Sequence, residues 1–209
     1  MTNEPAGGNE AHWNRVYATK AVDAVSWYAS HLESSLRLIR ESAADRDARI
    51  IDVGGGASTL VDDLLADGYR AVSVLDLADE ALRAARERLG DRANEVTWIT
   101  GDVTRVTLPE RSIDVWHDRA VFHFLTDPAD RARYVANVAR SVKPGGRVIV
   151  ATFGPQGPER CSGLEVVRYD ADQLHGTFGA RFTKLASFVE THHTPWGSEQ
   201  QFVYCLCAL

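Results

Sequence analysis

The sequence predicts an α/β fold: a doubly wound, mostly parallel sheet that closes with an antiparallel hairpin. Three observations carry that expectation. Short strand-like runs alternate with amphipathic segments of helical period between Arg49 and Phe153, a pattern that needs crossover helices and a parallel sheet covered on both faces. Ile50-Ile51-Asp52-Val53-Gly54-Gly55-Gly56 passes from a strand into a glycine loop and then into a helix, which lets backbone approach a ligand closely. Phe182–Glu190 and Gln201–Leu209 are strand-like runs joined by a loop holding Pro195 and Gly197, with no helix between them. So short a connection demands antiparallel pairing.

The elements follow in order. Trp13, Val16 and Tyr17 fall at helical spacing, and Leu32, Leu36 and Ile39 mark a second helix after Val25-Ser26-Trp27-Tyr28. Strand one is Arg49–Val53, followed by a helix lined by Leu60, Val61, Leu64 and Leu65 and ended by Gly68. Ala71–Leu77 is strand two, and Asp79 is expected to cap a helix carrying Leu82, Ala85 and Leu89. Val96–Thr100 is strand three and Ile113–Trp116 strand four, which leads into His117-Asp118-Arg119. A helix over Pro128–Val142 has proline in its first turn. Lys143-Pro144-Gly145-Gly146 then turns the chain into strand five, Arg147–Phe153.

Composition narrows the function. With 209 residues, 44% of them hydrophobic, the chain can build a sizeable core. The division expected is a tail and helical lid over 1–45 and one domain over 46–209, with the first nine residues a disordered tail. A net charge of −6 argues against a nucleic-acid partner, which would want a basic face. No apolar run reaches membrane-spanning length and the first residues lack a signal-peptide core. Three cysteines without metal-ligand spacing suit a reducing cytoplasm. The expectation is a cytoplasmic protein without a resident metal, monomeric or homodimeric.

Asp76 closes strand two 22 residues after Gly54. A carboxylate at that strand end can hold ribose hydroxyls, so the site suits a nucleoside-containing cofactor. Gly54-x-Gly56-x-x-Thr59 matches the dinucleotide fingerprint of nicotinamide-dependent oxidoreductases only in part. Asp52, two residues before Gly54, would crowd a phosphate but could orient an amine.

Four features together carry a family resemblance: Asp52-Val53-Gly54-Gly55-Gly56, the acidic Asp76, Gly101-Asp102-Val103 after strand three, and Lys143-Pro144-Gly145-Gly146-Arg147 before strand five. From about Arg49 to Leu209 the chain resembles a class I S-adenosylmethionine-dependent methyltransferase, a small bacterial-type member similar to methyltransferase domains 12 and 25. The resemblance implies a Rossmann-like seven-stranded sheet of order 3-2-1-4-5-7-6, with S-adenosylmethionine as cofactor and S-adenosylhomocysteine as product. It also implies roles by position. Gly54 and Gly56 would lie against the methionyl part, Asp52 would orient its amine, Asp76 with Leu77 would meet the ribose, and Asp102 with Val103 would meet the adenine. Ser58 stands where the family often has a third glycine, and it can cap the following helix.

Strand four's carboxyl end carries Trp116-His117-Asp118-Arg119-Ala120-Val121-Phe122-His123-Phe124, beside the crevice where ligands of such sheets bind. His117, Asp118 and His123 are the candidates for general base or substrate orientation; the competing reading is that each is a packed or paired structural residue. Trp27 and Tyr28, with Trp13 and Tyr17, are expected to close the site against water, and Arg119 and Arg160 to meet the substrate. Lys20 is a further candidate for an anion. Cys161 admits a metalloid ligand, although Cys205 and Cys207 do not complete such a site. No Asn/Asp-Pro-Pro-Tyr motif follows strand four. The acceptor expected is a small molecule, a thiol, chalcogen or carboxylate, with a protein lysine methyltransferase or a non-catalytic cofactor-binding protein as alternatives.

Overall fold

The computed structural model describes residues 10–209, so the expected tail over the first nine lies outside the described residues. The middle of the sheet is built from the most apolar strands. β1 (Arg49–Val53) is buried from Ile50 onward and pairs in parallel with β2 (Ala71–Asp76) on one side and β4 (Ile113–Arg119) on the other. β3 (Val96–Thr100) adds beyond β2, and β5 (Val142–Phe153) beyond β4. β8 (Thr183–His193) and β9 (Glu199–Ala208) form the antiparallel hairpin, with β9 against β5. The order is β3-β2-β1-β4-β5-β9-β8. This is the expected topology once the small separate hairpin β6 (Arg160–Cys161) and β7 (Leu164–Glu165) is set aside. The order reverses between β1 and β4, so a crevice opens at their carboxyl ends.

Two apolar layers cover the sheet. α2 (Glu33–Ser42), α3 (Leu60–Ala66) and α4 (Asp79–Leu89) send Leu36, Leu38, Ile39, Leu64 and Leu82 into one core. α5 (Pro128–Ser141) and α6 (Ala171–Phe178) supply Tyr134, Val138, Leu174 and Phe178 to the other. Fully burying such a side chain is worth about 1.5–3 kcal/mol, so α2 adds to the main core through Leu36, Leu38 and Ile39. α1 (Glu10–Thr19) has Val16 as its one buried residue. It lies across α4, where Asn14 Oδ1 accepts from the Glu80 N–H at 3.2 Å.

Several boundaries differ from expectation for local reasons. Asp79 is the first residue of α4; Ala78 takes the cap position without a side-chain bond. Ser58 does serve the start of α3, its hydroxyl accepting from Leu60 N–H at 3.2 Å, one residue ahead of the cap position. β4 continues past Trp116 to Arg119, because Asp118 and Arg119 still pair with Val150 and Ala151. The Lys143–Gly146 turn survives as an irregularity inside β5, where the register jumps from Ile113↔Val142 to Val115↔Arg147. α6 is an unexpected element; Asp170 caps it with bonds from Asp172 and Gln173 N–H, and Gln173 returns the bond.

Candidate active site

The glycine loop leaves β1 in conformations that side chains disfavour: Gly54 has φ +68° and Gly56 φ +23°. Space enforces the same choice. A Cβ at Gly54 would stand 2.0 Å from Val121 Cγ2, and one at Gly56 would stand 2.6 Å from Asp76 Oδ2. Asp76 is 8% exposed and accepts from the Ala78 N–H at 2.8 Å, with the Gly56 and Leu77 N–H groups directed at it as well. Burial pushes its carboxyl up to about 7, backbone N–H bonds hold it down in part, and nearby Asp52 adds to the rise. Asp52 is the acid left short of a donor: its Oδ2 is buried without a partner, 2.4 Å from where a Gly55 Cβ would stand.

A cavity of ≈ 310 Å³ runs from Asp76 along the ends of β1, β2 and β4, a size within the usual range of small-molecule sites. At one end stand Gly54, Asp76, Leu77, Asp102 and Val103. Asp102 is partly committed, since its Oδ1 accepts from Thr104 N–H and Oγ1 at 2.8 and 2.7 Å. At the other end stand Trp13, Tyr17, Trp27, Phe124, Arg119 and Cys161. The aromatic rings meet edge to face: Trp13 lies 5.1 Å from Phe124 and 6.0 Å from Trp27, and Tyr17 lies 6.4 Å from Trp27. The segment that carries Trp27 is tied down. Thr59 Oγ1 donates to Ala29 O at 3.0 Å, and His192 Nε2 bonds Ser26 O at 2.8 Å. Burial pushes Tyr17 well above the ordinary phenol range and Cys161 up to about 11.

The three residues expected to be catalytic do not sit in this cavity. His117 is 1% exposed, with Nδ1 2.7 Å from Asp52 Oδ1 and Nε2 2.8 Å from Ser35 Oγ. It borders a smaller space of ≈ 40 Å³ together with Asp52, Tyr28 and Ser58, but both ring nitrogens are committed. Asp118 faces the opposite side of the sheet. Its Oδ2 accepts from the Tyr134 hydroxyl at 2.7 Å and its Oδ1 from the Val121 and Phe122 N–H groups at 3.0 and 3.4 Å. Burial raises its carboxyl to about 6, and those bonds oppose the rise. Asp118 thus shapes the turn after β4, where Ala120 adopts φ +72°. His123 is fully buried against Phe124 and Phe153. Burial, and then Arg119, press its imidazole down to about 3.

Of the expected substrate contacts, Trp27 and Arg119 line the main cavity and Tyr28 the smaller one. Arg160 is exposed and donates to Gly163 O at 2.8 Å, away from both. Cys205 and Cys207, with sulfurs 3.4 Å apart, lie in the core opposite that of Cys161, so the three thiols do not converge. Among the described residues no group of three or more His, Cys, Asp or Glu could hold a metal ion. The same holds for membrane spans: no described helix is long and apolar enough to cross one. Thr104, Arg105, Ala120, Val121, Leu125 and Asp130 line the cavity without having been anticipated. Each sits in a loop just after β3 or β4 or early in α5, and position in the fold is the only signal that could have found them.

Comparison with known proteins agrees with this geometry. A family model described as a methyltransferase domain matches residues 51–150. An eEF1A lysine and N-terminal methyltransferase of Bos taurus is 24% identical over 148 residues, 68% of this chain and 21% of that protein. The ubiquinone/menaquinone biosynthesis C-methyltransferase UbiE of Methylobacterium nodulans is 31% identical over 129 residues, 60% of this chain and 48% of that one. The chain therefore spans less than half the length of these relatives. A structure from the study "Conversion of a Disulfide Bond into a Thioacetal Group during Echinomycin Biosynthesis" shares the fold with a TM-score of 0.78 at 15% identity, over 95% of this chain and 91% of that chain. The glycine loop, the acid closing β2, the sheet order and the matched domain converge: residues 51–150 match a methyltransferase domain, and the chain is consistent with a class I S-adenosylmethionine-dependent methyltransferase.

Proposed function

We propose that this chain transfers a methyl group from S-adenosylmethionine to a small-molecule nucleophile, with a thiol, chalcogen or carboxylate favoured. One observation carries the proposal: a single cavity has the buried acid Asp76 beside the glycine loop at one end and an aromatic wall with one arginine at the other. Asp76 would accept from the ribose hydroxyls, and the orphaned Asp52 Oδ2 from the methionyl ammonium. Gly54 and Gly56 leave room for the methionyl chain, and Asp102 with Val103 border the adenine. These residues fit the cofactor, because the unpartnered Asp52 Oδ2 gains a donor and the buried Asp76 carboxyl gains further ones.

When bound, S-adenosylmethionine supplies an electrophilic methyl group on a sulfonium. The protein's own part is placement. Trp13, Tyr17, Trp27 and Phe124 exclude water and hold an acceptor in line, and orientation of this kind is worth ~7–11 kcal/mol.

The test uses S-adenosylmethionine with a radiolabelled methyl group, incubated with purified protein and cell extract and then split by a size filter. Label in the small-molecule fraction, dependent on added metabolites, supports the proposal. Label on extract proteins favours the second reading, lysine or N-terminal methylation, which the 24% identical eEF1A methyltransferase motivates. Cofactor binding without transfer in either fraction favours a binding protein without catalysis.

A further inference from the structure

Arg119 is the one cation at the aromatic end of the cavity among the described lining residues, and its guanidinium is only partly used. Nε donates to the Tyr204 hydroxyl at 3.2 Å and Nη1 to the Trp27 carbonyl at 3.1 Å. The guanidinium carbon lies 4.2 Å from the centre of the Phe202 ring. Nη2 is buried and makes no hydrogen bond. The nearest carboxylate, Glu190 Oε1, stays 3.8 Å away on a side chain 25% exposed, whereas that of Arg119 is 5% exposed. Leaving a buried charged donor unmatched is costly, and a rigid, stacked guanidinium is suited to an oxyanion.

Among the described residues no carboxylate other than Glu190 comes within ion-pair distance of Arg119, and burial keeps Cys161 a thiol. Nor does a histidine or tyrosine among the described residues serve as a base at this end. His117 has both nitrogens engaged, His123 does not border the cavity, and Tyr17 is held protonated by burial. A nucleophile that arrives already deprotonated needs none of them.

Resting on the methyltransfer reading above, we infer that the acceptor enters as an anion on an apolar frame and that Arg119 Nη2 holds its charged group. The acceptor's lone pair forms the bond to the methyl carbon as the carbon–sulfur bond breaks. The electron pair of that bond stays on the cofactor's sulfur, and no proton is released. The aromatic walls suit the frame of such an acceptor, and the guanidinium its charge.

Trp13 and Trp27 line the cavity, so their fluorescence reports binding directly. Protein loaded with S-adenosylhomocysteine is titrated with benzoate and thiophenolate, and with their neutral counterparts benzamide and thioanisole. The wild type is expected to prefer each anion by roughly tenfold or more. Arg119→Met should erase that preference and leave S-adenosylhomocysteine affinity within about twofold. Since Arg119→Met also removes the bonds to Tyr204 and Trp27, Arg119→Lys serves as the second variant and should keep part of the preference. Equal binding of anion and neutral probe by the wild type overturns the inference. So does a loss of S-adenosylhomocysteine affinity in Arg119→Met with 5′-methylthioadenosine affinity unchanged, because the anion held is then the cofactor's own carboxylate. Failure of the wild type to bind S-adenosylhomocysteine would instead defeat the methyltransfer reading. The benzoate-over-benzamide preference would then be read on the free protein, where its absence still overturns the role of Arg119.

Discussion

His117 Nδ1 stands 2.7 Å from Asp52 Oδ1, and this contact ends a hydrogen-bond chain that begins at Arg119. One assignment of protons satisfies every link. Arg119 Nε–H donates to Tyr204 Oη, that hydroxyl donates to Ser35 Oγ at 3.3 Å, and the serine donates to His117 Nε2 at 2.8 Å. The imidazole proton then sits on Nδ1 and is donated to Asp52. The chain joins the cation at the aromatic end of the cavity to the carboxylate behind the glycine loop. It holds both in place through residues that need not touch a substrate.

Ser35 is the middle of that chain and the easiest place to cut it. Ser35→Ala strands His117 Nε2 and the Tyr204 hydroxyl in buried positions, each without its former partner. The expected cost is about 1–3 kcal/mol, a drop in Tm of about 2–4 °C per kcal/mol for a chain of this size. Thermal unfolding measures it, and an unchanged Tm would show that water restores the link.

Asp76 should make cofactor affinity depend on pH. Its carboxyl sits at about 7 in the free protein, against an ordinary 3.8, and ribose hydroxyls donate to the ionised form. S-adenosylhomocysteine affinity is therefore expected to rise with pH through about 7, and calorimetry across that range tests it. The same shift acts on stability with the opposite sign. A raised folded value contributes stability that is complete below 3.8 and lost as pH rises through about 7. Asp76→Asn should remove both slopes and weaken S-adenosylhomocysteine by roughly tenfold or more.

His123 works in the acid direction. Its folded value of about 3 lies below the ordinary 6.5, so its contribution is present above 6.5 and lost as pH falls from there toward 3. His123→Phe removes the titration, at the expense of the Phe153 N–H bond to Nδ1. Denaturant unfolding from pH 7 down to pH 4 (about the range in question) should show a shallower loss of stability in the variant than in the wild type. Parallel curves would mean that His123 is protonated without unfolding.

Ala120 carries a local strain that glycine would relieve. Its φ of +72° costs a non-glycine residue roughly 1–2 kcal/mol, and glycine gives back about 0.4–1 kcal/mol through the unfolded chain. Ala120→Gly is expected to stabilise the protein by about 0.5–1 kcal/mol, read as a higher denaturant midpoint. A lower midpoint would show that the Ala120 methyl in the cavity wall matters more than the backbone.

The sequence by itself determined the parts governed by local rules. Alternating strand and helix periods specified the order of elements, the glycines after Val53 specified a close backbone approach, and Asp76 was marked by its place at the end of β2. Periodicity and turn chemistry act over a few residues, so they can be read from neighbours in the chain. The tertiary structure alone decided which of the polar residues after Trp116 face the cavity. Strand alternation turns Asp118 toward Tyr134 and His117 and Arg119 toward the other face. Their partners Ser35 and Tyr204 lie 82 and 85 residues away along the chain. Such partners are set by how the crossovers stack remote strands and helices. His117 is therefore spent on Ser35 and Asp52, while Arg119 keeps one nitrogen free of any hydrogen bond beside the cavity.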